Sequence, residues 1–320
     1  MKRFKRLLAV VNGGSGDEEL IRRAVALAGA NSASLTFFAA SEEATSGLFG
    51  MNRVQQELHR LLERERLAVL DRAVEAAKAG GVESEAQTLA GKEFVSIIQE
   101  VLSRDHDLVI FADDDTTSIH DRIFGGTATH LLRKCPCPVW VLKQTSESPG
   151  DGNFKRVLAA VNAVAVDQEE KHLNQKILEL ATSLAEQEGA EMHVVHCWAV
   201  YGESLLATRG RLTPEELEAY RKSTEENNLA ALEEVLAPFT SDGRSIQSHL
   251  RKGDPGHLIP EAAEQMQADV VVMGTVARTG INGVFIGNTA EAVLQRIGRS
   301  VLAVKPDGFT SPISMAPSTG

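Results

Sequence analysis

DVVVMGTVARTGINGVFIGNTAEAVLQRIGRSVLAVK, residues 269–305, is the stretch that decides how this chain folds. An apolar run ends at Met273, Gly274 breaks it, and a helix-like pattern begins just after Gly287, Asn288 and Thr289. A second apolar run, 301–304, closes the stretch. This order reads as buried strand, loop, helix and buried strand. A helix N-terminus presents unpaired N–H groups and the positive end of the macrodipole, so residues 287–289 are a candidate resting place for an anion of the phosphate class.

The same pattern occurs earlier. DLVIFADDDTTSIHDRIFGGTATHLLRKCPCPVWVLK, residues 107–143, aligns with it without a gap at an offset of 162. The opening strands, RLLAVVN from Arg6 and RVLAAVN from Arg156, are offset by 150, so the second copy carries 12 more residues in its earlier part. Two copies imply two domains of one fold. The expected division is a first domain over 1–143, a linker over 144–153, a second domain over 154–305 and a flexible tail over 306–320. The linker QTSESPGDGN has no apolar side chain, and the tail is rich in Ser, Thr, Pro and Gly.

A chain of 320 residues suits two domains, each with its own core. Its formal charge of −11 and lack of a basic run argue against nucleic acid as a partner. The apolar run 7–11 is too short for a signal sequence or a span, so no membrane span and a cytoplasmic location are expected. Cys135, Cys137 and Cys197 make no disulfide framework, and the CPCP pair lacks the second pair of ligands that a metal site needs. No metal is expected.

Along the chain, strands alternate with helices. In the first half, strands are expected at 7–11, 34–40, 83–89, 107–111 and 138–142, and helices at 17–30, 54–79, 93–102 and 127–133. The long helix 54–79 should turn Leu58, Leu61, Leu62, Leu67, Leu70 and Val74 inward. The second half repeats the order, with a capping box at Thr213 and Glu216 around Pro214. Pro260 predicts a kink or a later start in the helix that follows Asp254. Apolar strands separated by helices mean an α/β fold with parallel sheets buried on both faces.

With its spacing of glycines, GTVARTGINGVFIGNT from Gly274 resembles the universal stress protein family, tandem two-domain type. Gly274 matches the first glycine of the family's nucleotide loop, Ala277 stands at the second and Gly287 at the third. Arg278 and Gly280 stand where the family often has Arg and Gly, whereas Asn288 intervenes before Thr289. The resemblance implies two Rossmann-like domains of the adenine nucleotide alpha hydrolase-like kind, each with five parallel strands in the order 3-2-1-4-5, flanked by helices. It also implies pairing of the two halves through their fifth strands, as an intramolecular pseudo-dimer.

Open parallel sheets bind ligands beyond the carboxyl ends of their strands, where the strand order reverses. In the second half the candidate site comprises Ala160, Asn162, Cys197, Met273, Gly274, Ala277, Arg278, Gly287, Asn288 and Thr289. The resemblance implies an adenine nucleotide, ATP or AMP, as the candidate small-molecule ligand. At the position of Asn162 the nucleotide-binding relatives carry an aspartate, and Asn keeps an acceptor while losing the charge. A polar turn residue ending a strand is an equally weighted reading of Asn162. His193 and His196 read as buried, hydrogen-bonded histidines.

In the first half Ala112 and Asp115 replace the early glycines, and Asp113, Asp114 and Asp115 would repel a polyphosphate. The first half is therefore expected to be structural. A divalent-ion site or a solvated acidic turn are the readings of those carboxylates.

No Walker lysine motif, nucleophile with a base, or metal-ligand cluster stands near either loop, so binding is expected and catalysis is not. The alternatives are a carrier or sensor of a small amphipathic, lipid-like ligand, suggested by the apolar connection 198–212, and a weak ATPase.

Overall fold

Among the described residues ten strands form; the eight inner ones are apolar runs buried by helices, whereas the outer strands, SEAQTLA at 84–90 and IQSHLRK at 246–252, are polar and largely exposed edges. The structure, a computed structural model, describes residues 4–41, 53–113, 124, 126–143, 152–208, 212–240, 243–275 and 286–314. The first half runs β1 (Arg6–Val10), α1 (Asp17–Asn31), β2 (Ser34–Ser41), α2 (Arg53–Ala79), β3 (Ser84–Ala90), α3 (Glu93–Arg104), β4 (Leu108–Asp113), α4 (Gly126–Lys134) and β5 (Val139–Lys143). The second runs β6 (Arg156–Val161), α5 (Gln168–Glu188), β7 (Glu191–Trp198), α6 (Glu203–Thr208), α7 (Pro214–Thr240), β8 (Ile246–Lys252), α8 (Pro255–Gln265), β9 (Val270–Gly274), α9 (Asn288–Leu294) and β10 (Ser300–Val304).

All ten strands form one sheet in the order β3-β2-β1-β4-β5-β10-β9-β6-β7-β8, so each half has the expected order 3-2-1-4-5. Every pairing within a half is parallel, whereas β5 and β10 pair antiparallel, with Leu302 opposite Trp140. The fifth strands therefore join the halves as the resemblance implied, and neither is left as an open apolar edge. Alternate residues feed two apolar layers that cross this seam. One contains Leu7, Phe37, Trp140, Val157 and Leu302; the other contains Val10, Phe111, Val139, Val271 and Val301.

Each layer carries a buried cation at the seam. Arg23 of α1 donates to Glu188 of α5 at 2.9 Å and lies 3.4 Å from the centre of the Phe154 ring. On the opposite layer Lys305 donates to the carbonyl of Leu132 (2.6 Å) and to Thr275 Oγ1 (2.5 Å). The β5–β10 register accounts for its place. Two residues beyond the Ala303–Val139 pair, the chain sets Lys305 beside Cys137. Burial pushes the Lys305 ammonium down to about 8, against an upward pull from Cys135 and Cys137. Those two thiols are buried and unbridged, with Sγ atoms 3.6 Å apart, and Cys137 is pushed up by its contact with Cys135 and by burial.

One sequence expectation needs correction. The inward stripe of α2 holds only in its second half: Leu70 is buried and Val74 partly so, but Leu58, Leu61, Leu62 and Leu67 are 56%, 48%, 49% and 55% exposed. At 27 residues α2 is roughly 40 Å long, while the eight-residue β2 spans roughly 26 Å, so the first turns overhang the sheet. Of the two outcomes expected from Pro260, a kink or a later start, the helix after Asp254 does not take the later start. It begins at Pro255, whose φ suits a first turn, and continues through a buried Pro260. The expected tail is described as far as Ser314, where Asp307 pairs with Lys176 and Ile313 packs on the second apolar layer. Two isolated apolar residues without periodicity gave no signal of that packing. The capping box at α7 forms as expected, with Thr213 Oγ1 accepting from Glu216 N and Thr213 N donating to Glu216 Oε2.

A lysine held below its ordinary range binds its proton more readily in the unfolded chain, so between about pH 8 and pH 10 it makes the fold more stable as pH rises. Lys305→Met abolishes that titration. Urea unfolding of both proteins should show the wild type gaining on the variant across this window, and a constant difference would contradict the assigned environment.

Candidate functional site

The strand order reverses at β6, whose neighbours are β7 and β9, and the carboxyl ends of these three strands bring most of the expected residues together. They fall into two groups on opposite faces of the sheet. Ala160 and Met273 are buried in the second apolar layer, and Cys197 and Ile286 pack against it. Burial pushes the Cys197 thiol up to about 11, so it stands here as a small, protonated, half-buried wall residue.

Asn162 and Gly274 belong with α5 on the other face. Asn162 Nδ2 donates to Glu170 Oε1 at 2.6 Å, its N–H donates to Asn174 Oδ1, and its carbonyl accepts from Asn174 Nδ2 at 2.6 Å. Glu170 is itself fixed in the first turn of α5, where its N–H donates to the N-cap Asp167 at 2.8 Å. The polar-turn reading of Asn162 and the ligand reading are thus both compatible with this corner, which holds a carboxylate against the amide. Gly274 has a packing reason that spacing did not reveal. A Cβ there would come within 2.8 Å of Leu173 Cδ2, so the glycine lets α5 close on β9.

Gly287 is the N-cap of α9, with φ −64° and ψ 144° and no side-chain cap, followed by Asn288 and Thr289 as the first exposed helical residues. Its N–H donates to the carbonyl of Thr275, whose own N–H donates to Val304. The two ends of the intervening loop are therefore clasped at β9 and β10. Ala277 and Arg278 lie outside the described residues.

Two residues outside the candidate site set, Thr275 and His196, organise this region. Thr275, fully buried, links the Gly287 turn to Lys305 and through it to the first half. His196 accepts from Ala163 N at 3.3 Å through Nδ1 and approaches Asn228 Oδ1 at 2.8 Å through Nε2. Because Asn228 Nδ2 donates to Thr224, its Oδ1 faces the imidazole, which sets the Nε2–H tautomer. His196 thereby ties the loop after β6 to α7, in keeping with its reading as a buried, hydrogen-bonded histidine. His193 is also buried and meets His249 at 3.0 Å, and His249 is pushed down by burial and by His193 and Arg251.

The equivalent corner of the first half is closed differently. Buried Asp17 accepts the N–H groups of Asn12 (3.3 Å) and Gly13 (2.8 Å), drawing the loop after β1 onto α1. Asp113 ends β4 beside Lys143, and Asp114 and Asp115 lie outside the described residues. Among the described residues, no group of three or more His, Cys, Asp or Glu is arranged to hold a metal, and no helix is long and apolar enough to cross a membrane.

The universal stress protein family model matches the chain twice, over residues 3–143 and 153–305. The chain belongs to the universal stress protein family. Universal stress protein E of Escherichia coli (strain K12) is 31% identical to it over 321 residues, 98% of each chain. The homologue of that protein in Haemophilus influenzae is 29% identical, covering 95% of this chain and 98% of the other. A solved universal stress protein from Pseudomonas aeruginosa UCBPP-PA14 has the same fold, with a TM-score of 0.71 at 24% identity over 96% of this chain and 95% of its own.

The packing role of Gly274 is testable. Gly274→Val sets its Cβ 2.8 Å from Leu173 Cδ2, so Leu173 must turn aside, and stability should fall by about 1 kcal/mol. Urea unfolding reads this directly, and an unchanged midpoint would mean that α5 does not close on β9 as described.

Proposed function

We propose that this universal stress protein serves the stress response by binding, without catalysis, and that its second half bears an adenine-nucleotide site at the carboxyl ends of β6, β7 and β9. The observation that carries this reading is the Asn162–Glu170 corner. The resemblance places an aspartate at 162 in nucleotide-binding relatives, and here the Glu170 carboxylate stands 2.6 Å from the Asn162 amide, which supports a replacement of the lost charge from the next helix. Cys197 and Ala160 supply the small apolar wall that suits a base. In the first half Asp17 is already consumed by backbone N–H groups, which favours an asymmetric pair with one ligand-bearing half.

Calorimetric titration with ATP and with AMP should give at most one site per chain. Gly287 is buried at the N-cap of α9, so Gly287→Val should abolish binding through added bulk at the turn, and because valine caps poorly it should also lower stability by about 1 kcal/mol or more. Gly125→Val should leave binding unchanged. Two equal sites would sink the asymmetry. A second reading, a carrier of an amphipathic ligand, draws on Tyr201 and Leu205, which stand exposed in the connection after β7. Native mass measurement separates the two: a retained nucleotide favours the first reading, and a retained lipid-like molecule with no nucleotide binding favours the second.

A further inference from the structure

The overhanging half of α2 presents Val54 (76% exposed), Leu58, Leu61 and Leu62 to solvent on a helix whose other half is well packed. The fold does not require this stripe. At the offset of 162 the buried or partly buried Val69, Leu70, Ala73 and Ala77 of α2 correspond to Ala231, Leu232, Val235 and Phe239 of α7, which are buried or partly buried too. At the same offset, however, Val54, Leu58, Leu61 and Leu62 correspond to Glu216, Tyr220, Ser223 and Thr224. Only the first half keeps an aliphatic seam where the helix leaves the sheet.

We propose that this seam is an interface with a second copy of the chain, formed by two α2 helices packed antiparallel. Val54, Leu58 and Leu61 follow the four-then-three spacing of a coiled-coil seam. About a twofold axis, Leu58 of one copy lies against Leu61 of the other, and the reverse contact repeats it. In that register Glu57 of each copy faces Arg64 of the other, so the charges flanking the seam complement themselves twice. Glu57 and Arg64 are both exposed, and among the described residues Glu57 makes a loose contact with Arg60 at 3.9 Å. A lipid surface is disfavoured because arginines 53, 60, 64 and 66 alternate with glutamates 57, 63 and 65 on a chain of net charge −11. Glu65 occupies the next seam position, opposite Val54 of the other copy, and confines the apolar contact to two central layers. The dimer therefore belongs to the weak, transient size class, below roughly 1,200 Å² buried.

Sedimentation velocity on the full chain, from about 1 µM to about 200 µM, tests this. The weight-average sedimentation coefficient should rise from the monomer toward the dimer value. Leu58→Asp should hold the protein monomeric throughout, with an unchanged unfolding midpoint because the side chain is exposed. Glu57→Arg and Arg64→Glu should each weaken association by about 5-fold or more, and the double swap should restore it. A wild type that stays monomeric overturns the proposal. So does a Leu58→Asp variant that loses stability without any change in association, which would show the stripe covered by the chain's own residues 42–52. Association that survives Leu58→Asp, or a double swap that fails to recover, overturns the pairing equally.

Discussion

Everything in this structure depends on one antiparallel contact, that of β5 with β10. Each half alone would end in a strand of buried aliphatic residues with an unpaired row of N–H and C=O groups, an edge that recruits other chains. Pairing the two edges joins both apolar layers across the seam and turns two five-stranded sheets into one of ten. Because the contact is antiparallel, the parallel strands of the two halves run in opposite directions. Their carboxyl ends, and the crevices beyond them, open on opposite edges of the sheet.

The seam also explains two buried cations that no local rule calls for. Arg23 is satisfied by Glu19 and Glu188 and stacked on Phe154, so its charge is compensated within the apolar layer. Lys305 has a carbonyl and a hydroxyl but no carboxylate among its described partners, and burial depresses its proton affinity. Its two acceptors belong to different halves, Leu132 at the end of α4 and Thr275 at the end of β9. Thr275 in turn holds Gly287 through its carbonyl. The rim of the candidate site is thus attached to the inter-half contact through three consecutive hydrogen bonds.

Divergence between the copies follows where each residue stands relative to the sheet. Positions that face the layers are apolar in both, as with Leu70 and Leu232. Positions beyond the sheet are free to differ: the loop after β1 is gathered by Asp17, whereas that after β6 is gathered by Asn174, Glu170 and His196. Duplication kept the frame and released the corners, and the corners are where a ligand or a second chain would be met.

The sequence by itself determined the α/β class, the repeat, the ten strands and most helices, because apolar periodicity and cap residues are local signals that neighbours do not override here. Thr213 and Glu216 announced a capping box that forms as read. It also pointed to the end of β6 as the place to look, since strand order follows from the family resemblance. Tertiary structure alone decided the rest. Helical periodicity cannot tell where a sheet ends, so Leu58 and Leu61 read as core although they overhang it. A glycine in a phosphate-loop spacing cannot reveal that α5 needs its missing side chain, as Gly274 does against Leu173. And no pattern links Lys305 to Leu132, 173 residues earlier, because that bond exists only once two distant strands have chosen each other.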